Sequence, residues 1–83
     1  MNEVFLMGKV ITGIEFKFII HSKRISRVKF KVKILEDNEI ISIVAYDELA
    51  DYIYRNINIA DIVTVNGYIE GNNVIVKDIY LFI

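Results

Sequence analysis

The chain has 83 residues, a formal net charge of -1, 54% apolar and 25% charged residues, no cysteine, no proline and a single histidine. A chain this short hides about 60 to 65% of its unfolded surface, enough for one small core but not for a deep enclosed pocket, which excludes a multi-domain enzyme and implies one domain over residues 1–83. Zero cysteines exclude disulfides, thiol catalysis and thiolate metal sites, and one histidine cannot supply a multi-histidine zinc site.

Isoleucine and valine dominate, and both suit a pleated surface better than a helix. Residues 2–11 alternate as Val4, Leu6, Gly8 and Val10, with Gly8 placed to let a long first strand curve. This apolar opening is interrupted by Glu3 and Lys9 and lacks a basic leader, so no secretory signal is expected. Residues 27–34 form the clearest period-two run, with Val28, Phe30, Val32 and Ile34 on one face and Arg27, Lys29, Lys31 and Lys33 on the other. Glu36, Asp37 and Asn38 mark a tight turn, after which residues 40–46 return as the second arm of a hairpin. Residues 47–55 carry Leu49, Ala50, Ile53 and Tyr54 at helical spacing, with Asp47, Glu48 and Asp51 early, where the helix dipole favours acids. Strands over 61–69 and 74–81 follow, joined by a turn at Gly71, Asn72 and Asn73. The order strand, strand, strand, helix, strand, strand is that of an all-β, five-stranded Greek-key barrel, the OB-fold. No apolar run approaches the roughly 18 to 20 residues of a membrane-spanning helix, so a cytoplasmic protein without a membrane partner is expected.

The near-neutral total conceals a segregation. Lys17, Lys23, Arg24, Arg27, Lys29, Lys31 and Lys33 lie in a segment without an acid, and most acids come later. On a barrel, the outward row of the second strand and the turn at Lys23 and Arg24 would form a positive strip able to track a phosphate backbone. The competing reading is that these cations only keep an exposed strand soluble and discourage edge pairing. Single-strand binders also need exposed rings on which bases stack. Tyr46 closes its strand in phase with Ile40, Ser42 and Val44, which puts it outside if Ile41 and Ile43 fill the core; Phe16 and Phe18 are further candidates, each weighed against packing. Tyr52, Tyr54, Tyr68 and Tyr80 are assigned to the helix or the barrel rim.

Catalytic groupings are missing. His21 beside Ser22 lacks an orienting partner, Asp47, Glu48 and Asp51 come without an oxygen-ligand loop, and no phosphate-cradling glycine loop occurs. No enzymatic activity, metal or cofactor is expected.

Four segments in order resemble the bacterial single-stranded DNA-binding proteins and their shortened relative, primosomal replication protein N. They are the opening from Asn2 to Val10, the tetrad Glu15-Phe16-Lys17-Phe18, the strand-to-helix exit Val44-Ala45-Tyr46-Asp47-Glu48-Leu49-Ala50-Asp51, and Asp61-Ile62-Val63-Thr64-Val65-Asn66-Gly67-Tyr68-Ile69. The resemblance implies that Tyr46 occupies a base-stacking site and that Lys29, Lys31 and Lys33 lie along the path of single-stranded DNA. It also implies pairing of subunits through the first strand, with Asn2, Val4, Leu6 and Lys9 at a homo-oligomer interface; an unpaired strand edge is an independent reason to expect pairing. The chain departs from the pattern in having no tryptophan, in Ile40 where a stacking aromatic is common, and in Ala60 before Asp61 where glycine is usual. Its hairpin turns are short, which favours a dimer over a wrapping tetramer, and no acidic tail follows Ile83, so recruitment through such a tail is not expected. The leading expectation is a binder of single-stranded DNA without sequence preference, in replication, recombination or repair, using Lys17, Phe18, Lys23, Arg24, Arg27, Lys29, Lys31, Lys33 and Tyr46. A primosome-like adaptor contacting replication proteins and an RNA-binding module are the alternatives.

Overall fold

A computed structural model describes residues 2–21 and 23–82, with His21 described in its backbone only. Six strands and one helix follow in the order β1 (Glu3–Val10), β2 (Glu15–His21), β3 (Arg24–Ile34), β4 (Ile40–Tyr46), α1 (Asp47–Asn56), β5 (Ile62–Glu70) and β6 (Asn73–Phe82). The neighbours across the sheet are β1-β5-β6-β4-β3-β2, and a further β1–β3 pairing closes the first five of these strands into a barrel.

β3 makes that closure possible because it is 11 residues long and serves two partners on one edge. Its last residues pair with β1, with Gly8 opposite Ile34, Lys9 opposite Lys33 and Val10 opposite Val32. Its earlier residues pair with β2, from Glu15 opposite Lys29 to Phe18 opposite Ser26. The backbones crowd where β1 meets β3: a Cβ on Gly8 would lie 3.0 Å from the Lys33 carbonyl oxygen, so glycine lets the strands close. β4 runs antiparallel to β3 and parallel to β6, and β5 and β6 form a long hairpin.

Alternation determines what fills the barrel. Val10, Val28, Phe30, Val32, Ile43, Ala45, Val63, Val65, Val74, Val76 and Ile79 are buried together, and α1 adds Ala50 and Ile53, with Ile57 just beyond its end. Each Val, Ile or Phe removed from water in this way contributes about 1.5 to 3 kcal/mol. The helix starts with Asp47 and Glu48 in its first turn and ends where the Ile57 amide donates to the Ile53 carbonyl at 2.9 Å. The architecture is the OB-fold expected from the element order.

β2 is the strand the sequence pattern does not announce. Phe16 and Phe18 alternate with Lys17, but Ile19 and Ile20 interrupt the period, and the register slips between Phe18 and His21. A strand containing such an irregularity loses the clean alternation by which it would be read. β3 also begins at Arg24, ahead of the clean run at 27–34, because β2 supplies a partner for the extra residues.

Candidate nucleic-acid interface

The pairing of β3 with β4 sets Arg27 opposite Tyr46, Lys29 opposite Val44, Lys31 opposite Ser42 and Lys33 opposite Ile40. Directly opposed residues share a sheet face, so all eight stand on the outside while Val28, Phe30 and Val32 point into the core. Successive outward residues on a strand are about 6.6 Å apart, so Arg27 to Lys33 form a row about 20 Å long. Two neighbours extend it. Lys17 lies opposite Arg27 on β2, and Lys9 lies opposite Lys33 across the β1–β3 closure. Glu15, opposite Lys29, is the acid on this face of β2. Among the described residues the ion pairs are Asp51–Arg55 and Glu3–Lys77, so no cation of the row is tied to a carboxylate.

The row borders an apolar floor. Val44 and Ile75 are 3% and 5% exposed although they face outward and lie outside the core cluster. The register continues from Val44 to Ile75 on β6, then to Tyr68 on β5 and Glu3 on β1. A band therefore crosses the barrel from Lys29 to Tyr68. Tyr68 stands on this outer band, half-buried, and not at the rim where the sequence reading placed it. Its phase opposite Val63, Val65 and Gly67 was the signal that could have found it.

Tyr46 is also half-buried, and the guanidinium carbon of Arg24 lies 3.8 Å from its ring centroid. Arg24 is out of phase with the lysine row, three positions before Arg27, yet its long side chain reaches over the ring. The next residue after Tyr46 fixes this corner. Asp47 takes φ 55°, a left-handed conformation that aspartate tolerates better than most residues, and its Oδ1 accepts the amides of Ile25 at 2.8 Å and Ser26 at 3.2 Å. Those two backbone bonds, helped by the nearby Arg24 charge, hold the Asp47 carboxyl below its ordinary range.

The other candidate residues fall elsewhere. Phe18 is opposite Ser26, on the face of β2 away from the lysines; it is 77% exposed and packs edge-on to Phe16, which in turn touches Tyr54. Lys23 borders a shallow depression with Ile25, Asp47, Glu48 and Asp51, on the helix side of the barrel. On β1, Val4 and Leu6 pack against the core and leave Phe5, 73% exposed, on the outside. Asn2 is held by Ile69, donating from Nδ2 to its carbonyl at 2.6 Å and accepting its amide at 3.1 Å. β1 pairs with β5 from Glu3 to Lys9 but with β3 only from Gly8 to Val10, so among the described residues its other edge is unpaired from Glu3 to Leu6. The side chains of His21 and Ser22 lie outside the described residues. No group of three or more His, Asp or Glu among the described residues could hold a metal.

No family model matches the sequence, and no curated protein sequence matches it. Solved structures do match in fold. The SSB domain of a Synechococcus protein superposes with a TM-score of 0.83 at 14% identity, covering 96% of this chain and 94% of that one. The single-stranded DNA binding protein from Thermus aquaticus gives 0.88 at 17% identity, covering all of this chain and 41% of that one. The dimeric N-terminal domain of PriB protein from Thermoanaerobacter tencongensis gives 0.69 at 21% identity, covering 99% and 97%. These likenesses define the class of fold: an OB-fold barrel of the kind found in single-stranded DNA-binding proteins.

Proposed function

We propose that this protein binds single-stranded DNA without sequence preference, laying the strand along the outer face of β3 and β4. Arg27, Lys29, Lys31 and Lys33 hold phosphates, flanked by Lys9 and Lys17, while Tyr46 stacks a base and Tyr68 offers a second ring across the Val44–Ile75 floor. The observation that carries this reading is the β3–β4 register, which sets on a single face one ring and four cations that form no ion pair among the described residues. Phosphate attraction and stacking are both indifferent to base identity. The fold likeness to single-stranded DNA-binding proteins supports the choice of ligand. The binding step needs no chemistry, and replication, recombination or repair is where such a binder acts. The unpaired β1 edge supports a homodimer joined there, with Phe5 flanking the pairing.

Anisotropy of labelled oligo(dT) tests the proposal. With four phosphate contacts, each contributing a slope of about -0.7, affinity falls about 50-fold over a fourfold rise in salt. Salt-independent binding, or no binding at low salt, would reject it. A matched RNA strand binding more tightly would move the proposal to RNA, since nothing in the row distinguishes a 2′-hydroxyl. The adaptor reading draws its support from the covered state of Tyr46 and the likeness to the PriB domain. It predicts weak binding without dependence on oligonucleotide length.

A further inference from the structure

The base-stacking ring is already occupied in the free protein. The Arg24 guanidinium lies 3.8 Å from the Tyr46 centroid, within the range of a cation–π contact. A guanidinium is planar, delocalised and weakly hydrated, so it covers a ring face much as a nucleobase would. We infer that Arg24 is an exchangeable cap on Tyr46, which a nucleobase displaces from the ring and whose released guanidinium then takes a phosphate of the same strand. The inference rests on the reading of Tyr46 as a stacking residue.

Three observations support exchange over a fixed structural pair. Arg24 is exposed and forms no ion pair and no side-chain hydrogen bond among the described residues, so only the ring contact and the through-space pull of the Asp47 charge hold its head group. The adjacent carboxylate, Asp47, already accepts the amides of Ile25 and Ser26 and does not hydrogen-bond Arg24. Those same bonds pin the backbone directly after Arg24, so exchange requires only side-chain rotation. The head group would leave one stacking partner as the base acquires it, and its charge would remain beside the cationic row.

The test compares a dT oligomer with an abasic strand of equal length, in wild type, Arg24→Ala, Arg24→Lys, Tyr46→Ala and the Arg24→Ala/Tyr46→Ala double variant. Arg24→Lys keeps the charge that meets the phosphate but covers the ring less well, so it should raise the preference for dT over the abasic strand by up to about two- to fivefold, the factor equivalent to an exposed cation–π contact. Arg24→Ala removes the cap and the phosphate contact together, so it is read from the salt slope: flatter by about 0.7 with dT and unchanged with the abasic strand, whereas Arg24→Lys keeps the charge and so the slope. Tyr46→Ala should lower the preference to one common level in both backgrounds, the remainder being what Tyr68 supplies. In wild type, the Arg24 side-chain proton resonances, shifted upfield by the ring, should move back on adding dT and stay in place on adding the abasic strand. If Tyr46→Ala lowers the preference but Arg24→Lys does not raise it, and Arg24→Ala flattens the dT slope no more than the abasic one, the exchange is wrong and the stacking reading survives. If Tyr46→Ala leaves the preference unchanged, both fail.

Discussion

The Asp47 carboxylate accepts the Ile25 amide at 2.8 Å, joining the start of the helix to the start of the longest strand across 21 intervening residues. The same oxygen takes the Ser26 amide, and together these bonds lower the pKa of Asp47. A carboxylate with a depressed folded-state pKa contributes stability that is complete above its unfolded value, near 3.8, and is lost as pH falls through the lower folded value. Asp47→Asn keeps a side chain tolerant of positive φ but removes the charge. Urea midpoints should therefore be lower for Asp47→Asn at pH 7, with the gap to wild type closing below about pH 4. A gap of constant size would show that the charge contributes nothing.

Replacing Lys29, Lys31 and Lys33 together with glutamate should abolish oligo(dT) binding and leave the far-UV circular dichroism unchanged, because all three are exposed and form no ion pair among the described residues. Charge reversal at Lys23 and Arg55, on the helix side, should alter binding far less. Equal losses from the two sets would mean that net charge, and not the β3–β4 face, sets affinity.

Tyr46→Ala should weaken oligo(dT) binding by about 1 to 3 kcal/mol, with Tyr46→Phe close to wild type, since the ring and not the hydroxyl is the stacking element. Phe18→Ala should leave affinity unchanged, because Phe18 projects from the opposite face of β2. A loss at Phe18 equal to that at Tyr46 would show that the strand crosses both faces of the hairpin.

Gly67 cannot accept a side chain. A Cβ there would overlap the Ile75 carbonyl, beside the irregularity that leaves Lys77 without a partner in the β5–β6 register. Backbone cannot move aside as a flexible side chain can, so Gly67→Ala should destabilise the protein by about 3 kcal/mol or more, read from denaturant unfolding. A loss under 1 kcal/mol would mean that the hairpin shifts register to absorb the methyl.

Ala60 presents the opposite case. It holds φ 81°, strained for any residue with a Cβ, so that its amide can donate to the Val10 carbonyl at 2.8 Å. Glycine would relieve about 1 to 2 kcal/mol of strain and cost about 0.4 to 1 kcal/mol through a more flexible unfolded chain. Ala60→Gly should be more stable by about 0.5 to 1 kcal/mol, seen as a higher unfolding midpoint.

The alternation in β3 and β4 made the central surface legible: the phases of Phe30, Ile43 and the lysines alone imply which face each takes, and Tyr46 follows by counting from Ile41 and Ile43. Register across strands was not legible, and the face of Phe18 depended on it, whereas the outward face of Tyr68 could be read from the alternation of its own strand. Phe18 turns away because β2 is a separate strand paired to the early part of β3. The interface expectation at Val4 and Leu6 rested on resemblance and on the free edge; their own alternation with Phe5 already marked them as inward. Arg24 on Tyr46 was beyond any count of phases, because a long side chain at the end of a twisted hairpin reaches past the face its position assigns to it.

The barrel is joined unevenly. β1 meets β5 over seven residue pairs but meets β3 over three. A joint this short opens at lower cost than the long β1–β5 seam, so the amides of Leu35 and Ile11, which donate across it to the Met7 and Lys31 carbonyls, should trade their protons for deuterons before those of β5 do. A polynucleotide whose phosphates met both Lys33 and Lys9, which oppose one another there, would brace this joint. A second subunit adding its strand to the free edge of β1 would splint it, so deuterium uptake there should fall as protein concentration rises.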